Sequence, residues 1–187
     1  MASPGRFRLD SDHKNVGTWD WSKENPFHGT RAFKGLIVAN LVLNNWDFGP
    51  DQNRIYEMKK DAKDAEPGEP RIRYVVQDVG AALGKTRWPL GTRNNIDDFE
   101  SQKLIDRVDG DRVVFDYRSR HQLMVKDITV DDVLWTCRLF ERISENQWRD
   151  AFRAAGYSNE TTDRYLKKIH AKIHEGLSLR PQERASR

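Results

Sequence analysis

A chain of 187 residues with 32 basic and 29 acidic side chains carries a formal net charge of +3, a balance too even to call for a nucleic-acid partner. Its 37% hydrophobic content and six tryptophans exclude a disordered polar chain, and a single cysteine, Cys137, excludes an intramolecular disulfide and a cysteine-rich zinc site. The first 25 residues hold no apolar secretory segment, and the apolar stretch Gly35 to Leu43 is far shorter than the ~20 residues of a membrane span. One domain, or two small ones, with no membrane span is therefore expected, cytoplasmic as written; a longer, exported relative would carry its signal upstream.

In chain order, residues 1–28 read as an irregular arm, with Trp19, Trp21 and Phe27 as aromatic anchors packed onto the body. Residues 30–45, TRAFKGLIVANLVLNN, predict a helix with Thr30 as N-cap, apolar on nearly every side except at Asn40 and so buried. NNWDFGPDQN then enforces a loop. Two strand-like runs follow, NRIYEM and RIRYVVQDV, the second alternating with period two. The charged KKDAKDAEPGEP between them reads as a hairpin loop. Residues 86–96 predict a loop, 97–104 a short helix capped by Asp97 and Asp98, and DRVVFDYRS a short strand or extended piece. The last third is helical: a [ST]-x-x-[DE] start at Thr129, a Ser-x-x-Gln capping box at Ser144 stopping at Gly156, and a helix from Asn159 to Glu175 stopping at Gly176. The organisation expected is a mainly helical α+β domain over residues 29–179, with a flexible tail at 180–187.

Gly84-Lys85-Thr86 invites a P-loop reading, but the motif's first glycine falls on Val79 and Gly80 comes one residue late. Pro89 also prevents a smooth first helical turn after Lys85. An antiparallel hairpin instead sets the start of its first strand beside the end of its second. That brings Asp47, Asp51, Gln52, Asn53 and Asp78 into one neighbourhood, where acids and a side-chain amide supply hard oxygen ligands suited to Mg²⁺ with bound phosphates. The competing reading makes Asp47 and Asp78-Val79-Gly80 ordinary turn residues. His170 and His174, four apart on one helical face, read as a solvated face rather than a metal pair. Lys85 and the basic run at 118–121 are either phosphate contacts or solvated cations.

Buried helix, acidic loop, hairpin and D-x-G together resemble the C-terminal lobe of the kinase-like fold. The resemblance is to its atypical group of phosphoinositide kinases, HipA-like kinases and secreted kinases. More narrowly, NPFHGT, GLIVANLVLNNWD and YVVQDVGAALGK look like a bacterial family of that group, over about residues 15–180. The resemblance implies an ATP- and Mg²⁺-dependent phosphotransferase. Asp47 would be the base that orients the acceptor hydroxyl, Asp78 and Asn53 metal ligands, and Lys85 a nucleotide contact. The family places its metal Asn five positions after the catalytic Asp, which here is Gln52, so either Gln52 or Asn53 takes that role. Before residue 30 there is no glycine-rich loop and no lysine-bearing strand pair, so the N-terminal lobe is expected to be missing. The alternative is a kinase-derived module that binds a partner without turnover. A basic nucleic-acid-binding helical domain rests on a pI near 9.0 alone.

Overall fold

The computed structural model describes residues 13–21, 25–49, 53–58, 71–76, 79–87, 89–119 and 121–180. Among them the chain is an α+β domain of five α-helices and two small antiparallel sheets. The first sheet has the order β1 (His13–Gly17), β2 (Asn53–Met58), β3 (Ile72–Val76). The predicted hairpin is thus present, in a register that sets Asn53 opposite Val76 and Ile55 opposite Tyr74. The hairpin loop at 59–70 lies outside the described residues, as does the tail at 181–187.

β1 corrects the expectation of an irregular arm. HKNVG has no apolar alternation, yet it adds to the free edge of β2 with a register shift between Asn15 and Gly17. Backbone pairing, which the sequence pattern does not report, holds it there. The aromatic anchors behave as expected. Trp19 and Trp21 are buried, with ring centroids 4.8 Å apart, and Phe27 packs edge-on against Tyr74 at 4.6 Å.

Helix α1 (Arg31–Val42) begins at the Thr30 cap, whose hydroxyl accepts from Phe33 N at 3.2 Å. It buries Phe33, Ile37, Val38, Leu41 and Val42. Helices α3 (Val130–Phe140) and α5 (Asn159–Leu177) pack on it and on each other, and α4 (Glu145–Ala154) packs on α5. The capping boxes at Thr129 and Ser144 form as the sequence implies, so two of these helices begin where their own side chains satisfy the first free amides. Helix α2 (Ile96–Ser101) leans on α5. Its cap is Asn95, not Asp97 or Asp98: Asn95 Oδ1 accepts from Asp98 N at 3.1 Å, while Asp97 and Glu100 grip Arg164 of α5 at 2.6 and 2.5 Å. A second hairpin, β4 (Ile105–Asp109) and β5 (Arg112–Phe115), turns at Gly110, whose φ of 62° suits glycine.

The expected stop at Gly176 is also corrected, because α5 runs through it to Leu177. The glycine serves close approach: a Cβ there would lie 2.4 Å from Cys137 Sγ and 3.1 Å from Val133 Cγ1, both on α3. Gly176→Ala gains helix propensity but overpacks this crossing, a net loss of about 1 kcal/mol. Urea unfolding of Gly176→Ala and of Gly176→Ala/Cys137→Ala checks this: the double variant should recover most of the loss, since its main obstacle is one sulfur atom.

Candidate functional site

The loop that carries Asp47 is made by asparagine chemistry at the end of α1. Asn40, buried within the helix, donates to Leu36 O at 2.8 Å and accepts the Asn45 side-chain amide at 2.8 Å. Asn44 reverses the chain at φ 54°, a conformation asparagine tolerates better than most residues. Asn45 Oδ1 then takes Asp47 N, and Asp47 Oδ1 takes Gly49 N, both at 3.2 Å. Two successive side-chain turns hold the segment before β2 begins.

A buried polar network ties this loop to the rest of the domain. Asn44 Nδ2 donates to Gly84 O at 2.6 Å and to Gln102 Oε1 at 3.1 Å, and Asn44 Oδ1 accepts from the ammonium of Lys172 on α5. Gln102 in turn donates to Thr86 Oγ1 at 2.5 Å and accepts Thr86 N at 2.7 Å. Lys172 is 1% exposed and sits 4.5 Å from the Phe99 ring centroid. Burial pushes its pKa down to about 7; Lys168 acts in the same direction, while Glu175 and Asp116 oppose.

Beside Asp47, Phe48 wedges between Trp21 and Tyr117, with ring centroids 4.9 and 5.9 Å away. The Tyr117 hydroxyl is buried without a hydrogen-bond partner, while the neighbouring Ser119 hydroxyl donates to Trp46 O at 2.8 Å. Burial raises the Tyr117 pKa; Ser119 opposes this and the Asp47 carboxylate adds to it. Asn53, fully buried at the start of β2, donates to Trp19 O at 3.1 Å, but its Oδ1 accepts from nothing. Trp21 Nε1 is likewise buried and unpartnered. Unmatched polar atoms cost about 1–3 kcal/mol each, so they mark places where a water or ligand completes the structure.

The predicted site residues divide three ways. Asp47 lies five positions past the end of α1, and Asn53 is the first residue of β2. Gln52 and Asp78, with Asp51, lie outside the described residues; β3 ends at Val76, two positions before Asp78. Lys85 lines a cavity of about 270 Å³ together with Arg87, Arg118 and Asp116. Two cations judged separately from sequence thus share one pocket, and Arg87 joins them. The backbone there is loop, not a helix opening at Lys85, which agrees with rejecting the P-loop. Gly84 answers a different need: a Cβ would meet Thr92 O at 2.4 Å. His170 approaches Glu145 at 3.9 Å, and the described residues hold no group of three or more His, Cys, Asp or Glu able to take a metal ion. Sequence reasoning missed Lys172 and Tyr117. Comparison with known protein families, curated proteins and solved structures finds no match for this chain.

Proposed function

We propose that the chain is a kinase-like phosphotransferase lobe in which Asp47 orients the acceptor hydroxyl, Asn53 with Asp78 takes Mg²⁺, and Lys85 faces the nucleotide phosphates. The observation that carries this reading is the buried, unpartnered Asn53 Oδ1. It is a hard amide oxygen with free lone pairs, the donor type Mg²⁺ accepts, at the start of a strand whose neighbour leads toward Asp78. Gln52 remains the alternative ligand by its spacing from Asp47. When bound, Mg²⁺ neutralises charge on the phosphates. The chain's own residues do the rest. Asp47 spends Oδ1 on Gly49 N and keeps Oδ2 uncommitted among the described residues, available to hold a hydroxyl. Lys85, Arg87 and Arg118 give their pocket a positive field that suits phosphate oxygens.

Phosphoryl transfer depends mainly on positioning and charge stabilisation, and this sequence contains no glycine-rich cover for the phosphates. Weak Mg²⁺-ATP binding with slow or absent turnover is therefore the expected result for this chain. Calorimetric titration followed by phosphate-release measurement tests it on wild type, Asp78→Ala and Lys85→Ala. Binding should vanish in Asp78→Ala and weaken about tenfold in Lys85→Ala, the loss of one phosphate-facing charge. Binding unchanged in Asp78→Ala would overturn the metal role.

A second reading, a partner-binding lobe without turnover, is favoured by an apolar groove of about 320 Å³ between α1 and α3. Leu36 and Leu139 stand exposed on it at 38% and 40%. This reading is preferred if neither wild type nor Asp78→Ala binds Mg²⁺-ATP.

A further inference from the structure

Two residues that line the Lys85 cavity, Thr86 and Gln102, are each 2% exposed, so its wall is also part of the buried interior. Gln102 Oε1 accepts from Asn44 Nδ2 at 3.1 Å, and Asn44 Oδ1 accepts from the Lys172 ammonium. A hydrogen-bonded chain of two side chains therefore connects this ammonium to the cavity. The lining carries three cations, Lys85, Arg87 and Arg118, none of them ion-paired among the described residues, against one acid, Asp116. Asp116 belongs to both places: it lines the cavity, and its charge favours the ionised form of Lys172. A negative charge set in the cavity acts on the same lysine in the same direction.

Lys172 has no carboxylate in contact among the described residues; it donates to Asn44 and faces the Phe99 ring of α2. The charges that act on it are Lys168 and Glu175 of α5 and Asp116 after β5. Glu175 is itself engaged by Leu104 N and Ile105 N at 3.1 and 2.9 Å. Asp97 and Glu100 of α2 are held by Arg164, and Glu145 of α4 lies near His170. On the α3 side, Cys137 stands beside Gly176, its thiol kept neutral by burial. We propose that Lys172 governs anion binding in the Lys85 cavity: a doubly charged oxyanion there and a proton on Lys172 stabilise each other, so the cavity binds most tightly while this lysine is charged. The proposal rests on reading that cavity as a phosphate site. Burial brings the lysine pKa down to about 7, so the coupling operates around neutral pH.

Sulfate is the probe, because it stays a dianion between pH 6 and 9 while phosphate changes charge there. No histidine or cysteine lines the cavity. Calorimetry at constant ionic strength should give a sulfate affinity about tenfold lower at pH 9 than at pH 6, as follows from a rise of about one unit in the lysine pKa on binding. At pH 7.5 binding should take up about half a proton, read from the heats in two buffers of different ionisation enthalpy. This measurement needs the wild type alone. Lys172→Met, neutral and of similar length, should bind sulfate at pH 6 about as weakly as the wild type does at pH 9. Lys85→Ala should weaken sulfate at both pH values. Sulfate that binds, weakens in Lys85→Ala and yet takes up no proton, or falls equally with pH in Lys172→Met, overturns the coupling and leaves the phosphate cavity standing. No sulfate binding in wild type, or binding indifferent to Lys85→Ala, removes the cavity reading and the coupling with it.

Discussion

Gly84→Ala should lower the free energy of unfolding by about 3 kcal/mol, at the upper end of what overpacking costs. A Cβ at this position would fall 2.4 Å from Thr92 O, 2.5 Å from Thr92 C and 2.8 Å from Arg93 N. All three are backbone atoms, so no side-chain rotation relieves the clash and two loop strands must part. Gly84 does not adopt the left-handed conformation found at Gly29, Gly110 and Gly156, so steric contact alone is the cause. The consequence spreads, because Gly84 O accepts from Asn44 Nδ2 and Tyr165 reaches Leu83 O at 3.1 Å next to it. A urea midpoint lowered by roughly 1–2 M with an unchanged slope is the expected record. Removing the Thr92 side chain should not rescue the variant, in contrast to the Cys137 rescue of Gly176→Ala. A loss below about 0.5 kcal/mol, the range of ordinary surface substitutions, would show that the two loops yield easily.

Stability should rise with pH between about 7 and 9. The Lys172 pKa is depressed from 10.5 to about 7 in the folded chain. Between those values the unfolded state binds a proton that the folded state has given up, and stability therefore increases with pH. The contribution is complete above 10.5 and is lost as pH falls through about 7. Integrated from pH 7 to 9 it amounts to about 2 kcal/mol. The Asn44 acceptor and the Phe99 ring face favour the charged ammonium and trim that figure. Above pH 9 the sign reverses. Burial holds the Cys137 thiol up to about 12 and raises Tyr117, Tyr157 and Tyr165, so the unfolded state loses those protons first. A maximum near pH 9 in unfolding free energy follows, and Lys172→Met should flatten its rising limb. A rising limb unchanged in Lys172→Met would remove this lysine as its source.

Legibility in the sequence followed the range of the interaction. Thr30, Thr129 and Ser144 cap the helices they open, because a cap is a contract among residues three apart. β2 was readable at Asn53–Met58 for the same reason. β4 went unpredicted, although Asp109-Gly110 between two β-branched runs is a hairpin signal. Its residues 106–109 are exposed, and Val108 is the single apolar side chain among them, so no period-two pattern marked the strand. In the candidate site, the Asp47 turn was local and visible. Lys172 was not, since a lysine in a charged helix looks solvated until its partners, 128 residues away at Asn44 and at Phe99, are known. The pairing of Lys85 with Arg118 depended on Thr86 accepting Arg118 N at 3.2 Å, again a tertiary event.

The contact between Asn44 and Lys172 also sets an order of events. It spans 128 positions, so the chain between them must be brought together before the hydrogen bond can form. The Asn44–Lys172 contact therefore forms only once the final helix has docked, whereas the turn at Asp47 rests on local hydrogen bonds from Asn45 and Asp47. When α5 detaches in a partial opening, Asn44 loses its Lys172 partner and is held by Gly84 O and Gln102 Oε1 alone. Hydrogen exchange should therefore separate the two: α5 amides open without unfolding the Asp47 turn, whose local bonds persist.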